Sequence, residues 1–208
     1  ASGIVIVGNS NYNRIIENEV FLCGATAGGY GIVISGSQQG TPNPNQPKLD
    51  EHPIGTEIFN NYVHNNYADG IKINGALNSV VKANYCIDNG QLTANTYYNI
   101  NITAVGGTTT GSGSIVMDNV CSGVQPAYQI GIINSLVTDT IIQNNCIPVA
   151  ASGAIYDIGG ANSVNANGGF STSGKTRFSS VPIGSVAYSS FGTNKTPVAG
   201  TIYISDIY

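Results

Sequence analysis

Only 11 Asp and Glu, 7 Lys and Arg and 2 His are spread over these 208 residues, so any local gathering of them stands out. Asp50, Glu51 and His52 lie together in a Pro-rich insertion, Ser37 to Gly55. Glu57 follows it, and Asp69 and Lys72 share the phrase ADGIKIN. Glycoside hydrolysis needs two carboxyls across the sugar, one protonated and one ionised. Asp69 with Asp50 or Glu51 would supply such a pair, and Glu57 is a further candidate. Elimination at a uronate instead wants a base beside a group that neutralises the carboxylate, for which Lys72 and His52 are the candidates. Tyr30, Tyr98 and Tyr128 offer apolar faces with hydroxyl tips, and Asn99, Asn101 and Gln129 offer amides, the two kinds of group that a sugar contacts. Each has a plainer reading as well. Asp69 serves equally as a turn residue bonding its own backbone before Gly70, Lys72 as a solubilising charge, and the insertion as a solvated loop. No CxxC, paired His or Asp-rich loop marks a metal site, and neither metal nor cofactor is expected.

The elements that must position these residues are written in two recurring phrases. IIENEVF, IFNNYVH, VKANYCI, VMDNVCS and IIQNNCI place Asn18, Asn61, Asn84, Asn119 and Asn144 in register. Ile15, Ile58, Val81, Val116 and Ile141 then stand three residues before them. Val20, Val63, Cys86, Cys121 and Cys146 stand two after. The steps of 23 and 25 residues read as a bare rung, and those of 43 and 35 as rungs with loops. GIVIV, GIVIS, GIKIN, NINIT and QIGII recur between the asparagines, from Gly3, Gly31, Gly70, Asn99 and Gln129. Strict alternation of β-branched residues is the half-buried strand signal. Ile4, Ile32, Ile71, Ile100 and Ile130 should therefore point inward, and Lys72, Asn99, Asn101 and Gln129 outward.

A rung thus consists of strand A (the GIxI phrase), strand B before the asparagine and strand C after it. Like residues of successive parallel rungs lie about 4.8 Å apart, so the asparagines can bond amide to amide, and Asn tolerates a left-handed turn. The pattern resembles the right-handed parallel β-helix of the pectate-lyase-like proteins, whose asparagine ladder occupies the turn between the second and third strands. That resemblance implies an all-β parallel solenoid over residues 1–159; the Gly/Ser/Asn-rich stretch and short alternating strands of 160–208 read as a linker and a small β-rich C-terminal module. ADGIKIN also resembles the Asp-Gly and Arg-Ile-Lys pieces of polygalacturonase sites, while the paired aspartates and the Gly-His-Gly element of that family are absent. PVAGTIYISDIY is similar to the opening of β-rich modules in phage tail proteins.

In its register Asp69 replaces the tyrosine of the column Tyr30, Tyr98, Tyr128, which makes it a carboxylate flanked by stacked aromatic rings. Cys86, Cys121 and Cys146 continue a valine column and read as core residues rather than disulfide partners. Cys23 lies off that column as a lone thiol. A net charge of −4 with scattered basic residues excludes the footprint of a nucleic-acid binder, and no apolar run is long enough for a membrane helix. The abrupt ends suggest a piece of a longer chain or an assembly that covers them. Together these point to a homotrimeric tailspike or tail-fibre segment in a virion tail, with a bacterial surface polysaccharide as partner to be bound or depolymerised. The alternatives are an extracellular bacterial lyase or hydrolase and a non-catalytic adhesive solenoid.

Overall fold

The computed structural model describes residues 1–25, 29–36, 52–105, 111–150, 153–165 and 167–169. Its strands form three parallel sheets, and no helix occurs among the described residues. Sheet A stacks β1 (Ile4–Val7), β4 (Ile32–Ser35), β7 (Ile71–Asn74), β10 (Tyr98–Thr103), β13 (Tyr128–Ile132) and β16 (Ile155–Asp157). Sheet B stacks β2 (Arg14–Ile16), β5 (Glu57–Phe59), β8 (Val80–Lys82), β11 (Ile115–Met117), β14 (Ile141–Gln143) and β17 (Ser163–Asn165). Sheet C stacks β3 (Glu19–Phe21), β6 (Tyr62–His64), β9 (Tyr85–Ile87), β12 (Val120–Ser122), β15 (Cys146–Ile147) and β18 (Gly168–Gly169). The described residues form a parallel β-helix of six rungs with three strands each, the architecture expected. Strands β17 and β18 carry the sheets past residue 159 to Gly169. The stretch 170–208, which contains most of the expected C-terminal module, lies outside the described residues.

Four columns of side chains, two from sheet A and one each from sheets B and C, fill the interior. Ile32, Ile71, Ile100 and Ile130 stack with Ile34, Ile73, Ile102 and Ile132 on sheet A, all fully buried. Ile4 and Ile6 continue these columns half-buried in the first rung. Sheet B contributes Ile15, Ile58, Val81, Val116, Ile142 and Val164, and sheet C contributes Val20, Val63, Cys86, Cys121 and Ile147. Each buried Val or Ile side chain stabilises the fold by roughly 1.5–3 kcal/mol, so this interior carries most of the stability.

The fifth asparagine phrase is shifted by one residue from the sequence register. Val116 pairs with Ile142, not Ile141, and the ladder residue is Asn145, leaving Cys146 exposed and Ile147 buried. The adjacent pairs Ile141-Ile142 and Asn144-Asn145 let either register satisfy the hydrophobic pattern. Backbone conformation decides between them. The residue before each of these ladder asparagines is left-handed: Glu17, Asn60, Ala83, Asp118 and Asn144, with φ of 53–57°. The ladder asparagines are therefore not the left-handed residues; their predecessors are.

What the ladder does is bond. Asn84 Nδ2 reaches the Ile58 carbonyl of the rung below (2.9 Å), its own Lys82 carbonyl (3.0 Å) and Asn119 Oδ1 of the rung above (3.0 Å). Its Oδ1 accepts from the Asn61 backbone N–H (2.9 Å) and Nδ2 (3.0 Å). The same pattern runs from Asn18 to Asn167.

A second amide ladder occupies the corner between sheets C and A: Asn66, Asn89, Asn99 and Gln129, all buried. Asn66 and Asn89 enter it from the end of strand C, Asn99 and Gln129 from the start of strand A. Where the amide comes from strand C, strand A begins with glycine for want of room. A Cβ on Gly31 would lie 2.8 Å from Asn66 Nδ2, and one on Gly70 2.6 Å from Asn89 Nδ2. Cys23 takes the same place in the first rung, 2.9 Å from a Cβ on Gly3, so it belongs to this column. Just before it, Leu22, Asn65 and Asp88 are left-handed. Asn and Asp adopt this readily, whereas for a leucine it costs about 1–2 kcal/mol.

The third corner, before strand B, is lined by the buried hydroxyls of Thr56, Ser79, Ser114 and Thr140. The first three lack a hydrogen-bond partner. Substitutions at the two kinds of corner should therefore behave oppositely. Asn84→Ala leaves buried backbone groups unpaired and should lose about 3 kcal/mol in urea unfolding. Ser79→Ala removes an unpartnered oxygen and should be neutral or stabilising. A native-state thiol-labelling time course should modify Cys146 quickly and spare Cys86 and Cys121 until global unfolding.

Candidate functional site

The outer face of sheet A carries the groups of greatest interest. Register places Lys72 between Val33 below and Asn101 above. Tyr98 and Tyr128 pair directly, with rings stacked at 6.2 Å between centroids. Tyr156 extends the stack, 4.9 Å from the Tyr128 ring and tilted by 24°. The Tyr98 and Tyr128 rings have room to lean across the next rung because the sheet there is bare. A Cβ on Gly131 would come within 2.5 Å of the Tyr98 ring, and one on Gly153 within 2.6 Å of Tyr128. Three tyrosines thus form a stair over successive rungs, with Tyr98 and Tyr128 leaning on the rung after their own.

Below the stair, Lys72 Nζ is 3.1 Å from the Tyr30 hydroxyl and lies 4.5 Å from the centre of that ring. It is 4.0 Å from Asp69 Oδ2. Asp69 itself is only 2% exposed. Its Oδ1 accepts from the Tyr98 backbone N–H and its Oδ2 from Asn101 Nδ2, both at 2.8 Å. Burial raises its pKa above the usual carboxylate range; the Asn101 bond, the Lys72 charge and the Tyr98 N–H oppose this without cancelling it. Asn101 Oδ1 is buried without a partner. Amide oxygen and nitrogen are interchangeable by a half-turn of the side chain. After that turn Asn101 Oδ1 would accept from the protonated form of Asp69, the form that burial favours, while Asn101 Nδ2 would take the place the oxygen leaves.

The other sequence candidates are dispersed. Asn99 and Gln129 do not face outward: they are the upper half of the C–A amide ladder, because alternation gives way at the corner where strand A starts. Asn101 is on the outer side but buried under Asp69 and its neighbours. Glu57 lies on sheet B, a different face, ion-paired with Arg14 at 2.7 Å. His52 bonds through Nδ1 to the Gly75 carbonyl, past the end of β7. Asp50 and Glu51 fall outside the described residues. Among the described residues, Lys72 is the only charge acting on the ionisation of Asp69, and no cluster of three His, Cys, Asp or Glu is poised to hold a metal. Sequence reading missed Tyr156, Gly131 and Gly153. Tyr156 belongs to a sixth rung with no asparagine phrase legible ahead of it, and Gly131 marked the stair in advance, as the one glycine inside a strand A phrase.

No protein-family model matches the sequence, and no curated protein does. Among solved structures, the A-module of the mannuronan C-5 epimerase AlgE6 from Azotobacter vinelandii superposes with a TM-score of 0.60 at 16% identity. The match covers 81% of this chain and 48% of that one. This likeness supports the parallel β-helix, and the chain spans about half the length of the structure it matches. No helix among the described residues is long and apolar enough to cross a membrane.

A carboxyl whose pKa is raised by folding contributes stability that is fully present below its unfolded pKa. That contribution is lost as pH rises through the folded value. Asp69→Asn removes this loss, and its Nδ2 can donate to Asn101 Oδ1. Urea titrations at a series of pH values should therefore show the variant gaining on the parent as pH climbs from the usual carboxylate range to neutrality. A constant difference across that window would mean that Asp69 titrates normally.

Proposed function

We propose that this chain is a glycan-binding β-helix that takes a bacterial surface polysaccharide along the outer face of sheet A. The tyrosine stair is the observation that carries this reading. Three stacked rings, two of them leaning over glycine-cleared sheet, offer apolar surface against which pyranose rings pack, with hydroxyls at their edges. Lys72, held by Tyr30, adds one cation at the lower end of the stair, suited to an occasional acidic sugar. Asp69 acts here as a positioning residue for the start of β10 rather than as a catalytic residue, since both its oxygens are engaged and it is buried.

The setting we favour is a homotrimeric tailspike or tail fibre in a virion tail. Its support is the sparse charge of the solenoid and the phage-like phrase PVAGTIYISDIY near the C-terminus. A second reading, an enzyme acting on a uronate polymer, draws on the likeness to an epimerase of mannuronan and on the Lys72–Tyr30–Asp69 group.

Purified capsular and O-antigen polysaccharides provide the test. Tyr128→Ala should weaken binding of the recognised polymer about tenfold or more, equivalent to roughly 1.4 kcal/mol, without lowering the melting temperature. Lys72→Met should affect acidic polymers alone. Unchanged affinity in Tyr128→Ala would remove the stair from the binding face. Release of reducing or unsaturated ends, abolished in Asp69→Asn, would favour the enzymatic reading. A monomer in sedimentation velocity at micromolar concentration would exclude the trimer.

A further inference from the structure

The outer face of sheet C carries a feature that the sheet A reading does not use. A depression of about 300 Å³ lies at its lower end, walled by Phe21, Leu22, His64, Asn65, Tyr67 and Gln91. Its floor is a built stack: the His64 ring lies parallel to Phe21 (5.2 Å, 3°) and packs on Tyr62 at 4.1 Å. Both ring nitrogens of His64 are engaged, Nδ1 with Asn65 Oδ1 at 2.9 Å and Nε2 with Glu19 Oε1 at 3.1 Å. Gln91 donates through Nε2 to the Asp88 carbonyl at 2.6 Å, which leaves its Oε1 as an acceptor.

A second, independent observation is Leu22. It is left-handed, φ 53°, at a place where the next two rungs put Asn65 and Asp88. It is also 59% exposed, so it gains little from burial in return for that conformation. Strained, exposed apolar residues concentrate where a ligand is gripped. The depression therefore combines an apolar wall of Phe21 and Leu22 with planar polar groups, and no lysine or arginine lines it.

We propose that this depression is a second carbohydrate site, for one unit of a neutral polysaccharide. A pyranose ring lays its C–H face on Leu22 and Phe21. Its hydroxyls meet Asn65 Nδ2, Gln91 Oε1 and the Glu19 oxygen that His64 leaves free, the last two being acceptors that suit a neutral sugar better than the carboxylate of a uronate. The volume suits a small ligand at the lower end of ordinary binding pockets. The site lies on a different sheet from the tyrosine stair and stands whether or not that stair binds glycan.

Methyl-labelled full chain titrated with maltohexaose, cellohexaose and mannohexaose tests it, with hexamannuronate as the anionic counterpart. At least one neutral hexasaccharide should shift the Leu22 methyl resonances to saturation, and hexamannuronate should leave them in place. Leu22→Asn installs the residue that the next rung tolerates at this φ, so the variant should melt no lower than the parent while binding about tenfold more weakly. Gln91→Ala should weaken binding similarly, and Tyr128→Ala should leave the Leu22 titration unchanged. Leu22 methyls unmoved by all three neutral sugars in folded protein would overturn the proposal. So would full affinity in Leu22→Asn, or an equal response to hexamannuronate.

Discussion

Turning a chain sharply three times per rung brings backbone N–H and C=O groups into an interior that water does not reach, and such groups must find partners. The asparagine column between sheets B and C meets that demand. A primary amide carries two donors and one carbonyl oxygen on a short stem, so one side chain can serve the rung below, its own rung and the rung above together. The isoleucine columns supply more free energy, yet they act without direction. It is the amide ladder that fixes which residue of one rung sits over which residue of the next, and every inward or outward assignment depends on that register.

Much of this was legible because the ladder repeats one residue type in one setting. Where the setting was ambiguous, the reading slipped. Asn144-Asn145 beside Ile141-Ile142 satisfies the hydrophobic pattern in two registers, and only the left-handed conformation at Asn144 separates them. The second ladder was hidden for another reason: its members come from opposite ends of a rung, so no common phrase surrounds them. Alternation assigned Asn99 and Gln129 to the outside, a rule that holds along the middle of a strand and lapses where the strand leaves the corner.

The candidate sites show the same division. Lys72 and the tyrosine column were placed correctly by register. Glu57 and Asp69 are close in sequence, but the corners between them put the two carboxylates on different sheets. Burial of Asp69 depends on Asn101 and the Tyr98 backbone, contributions from the following rung that spacing alone does not reveal. The exterior of a solenoid is a set of separate faces. Chemistry is convergent only where side chains rise from one sheet or where a loop folds across it.

The corner between sheets C and A has a bearing on how such a chain can change its length. Each rung has one seat there, filled either from its beginning, as by Asn99, or from its end, as by Asn89 opposite Gly70. A rung that is duplicated or lost whole keeps its seat filled once. Recombination in mid-rung does not have that freedom. Joining the front of the rung that opens at Gly70 to the back of the rung that opens at Asn99 would leave the seat empty, and the reciprocal join would force two amides into it. The glycines of the GIxI phrase thus record where the coil can be cut and rejoined.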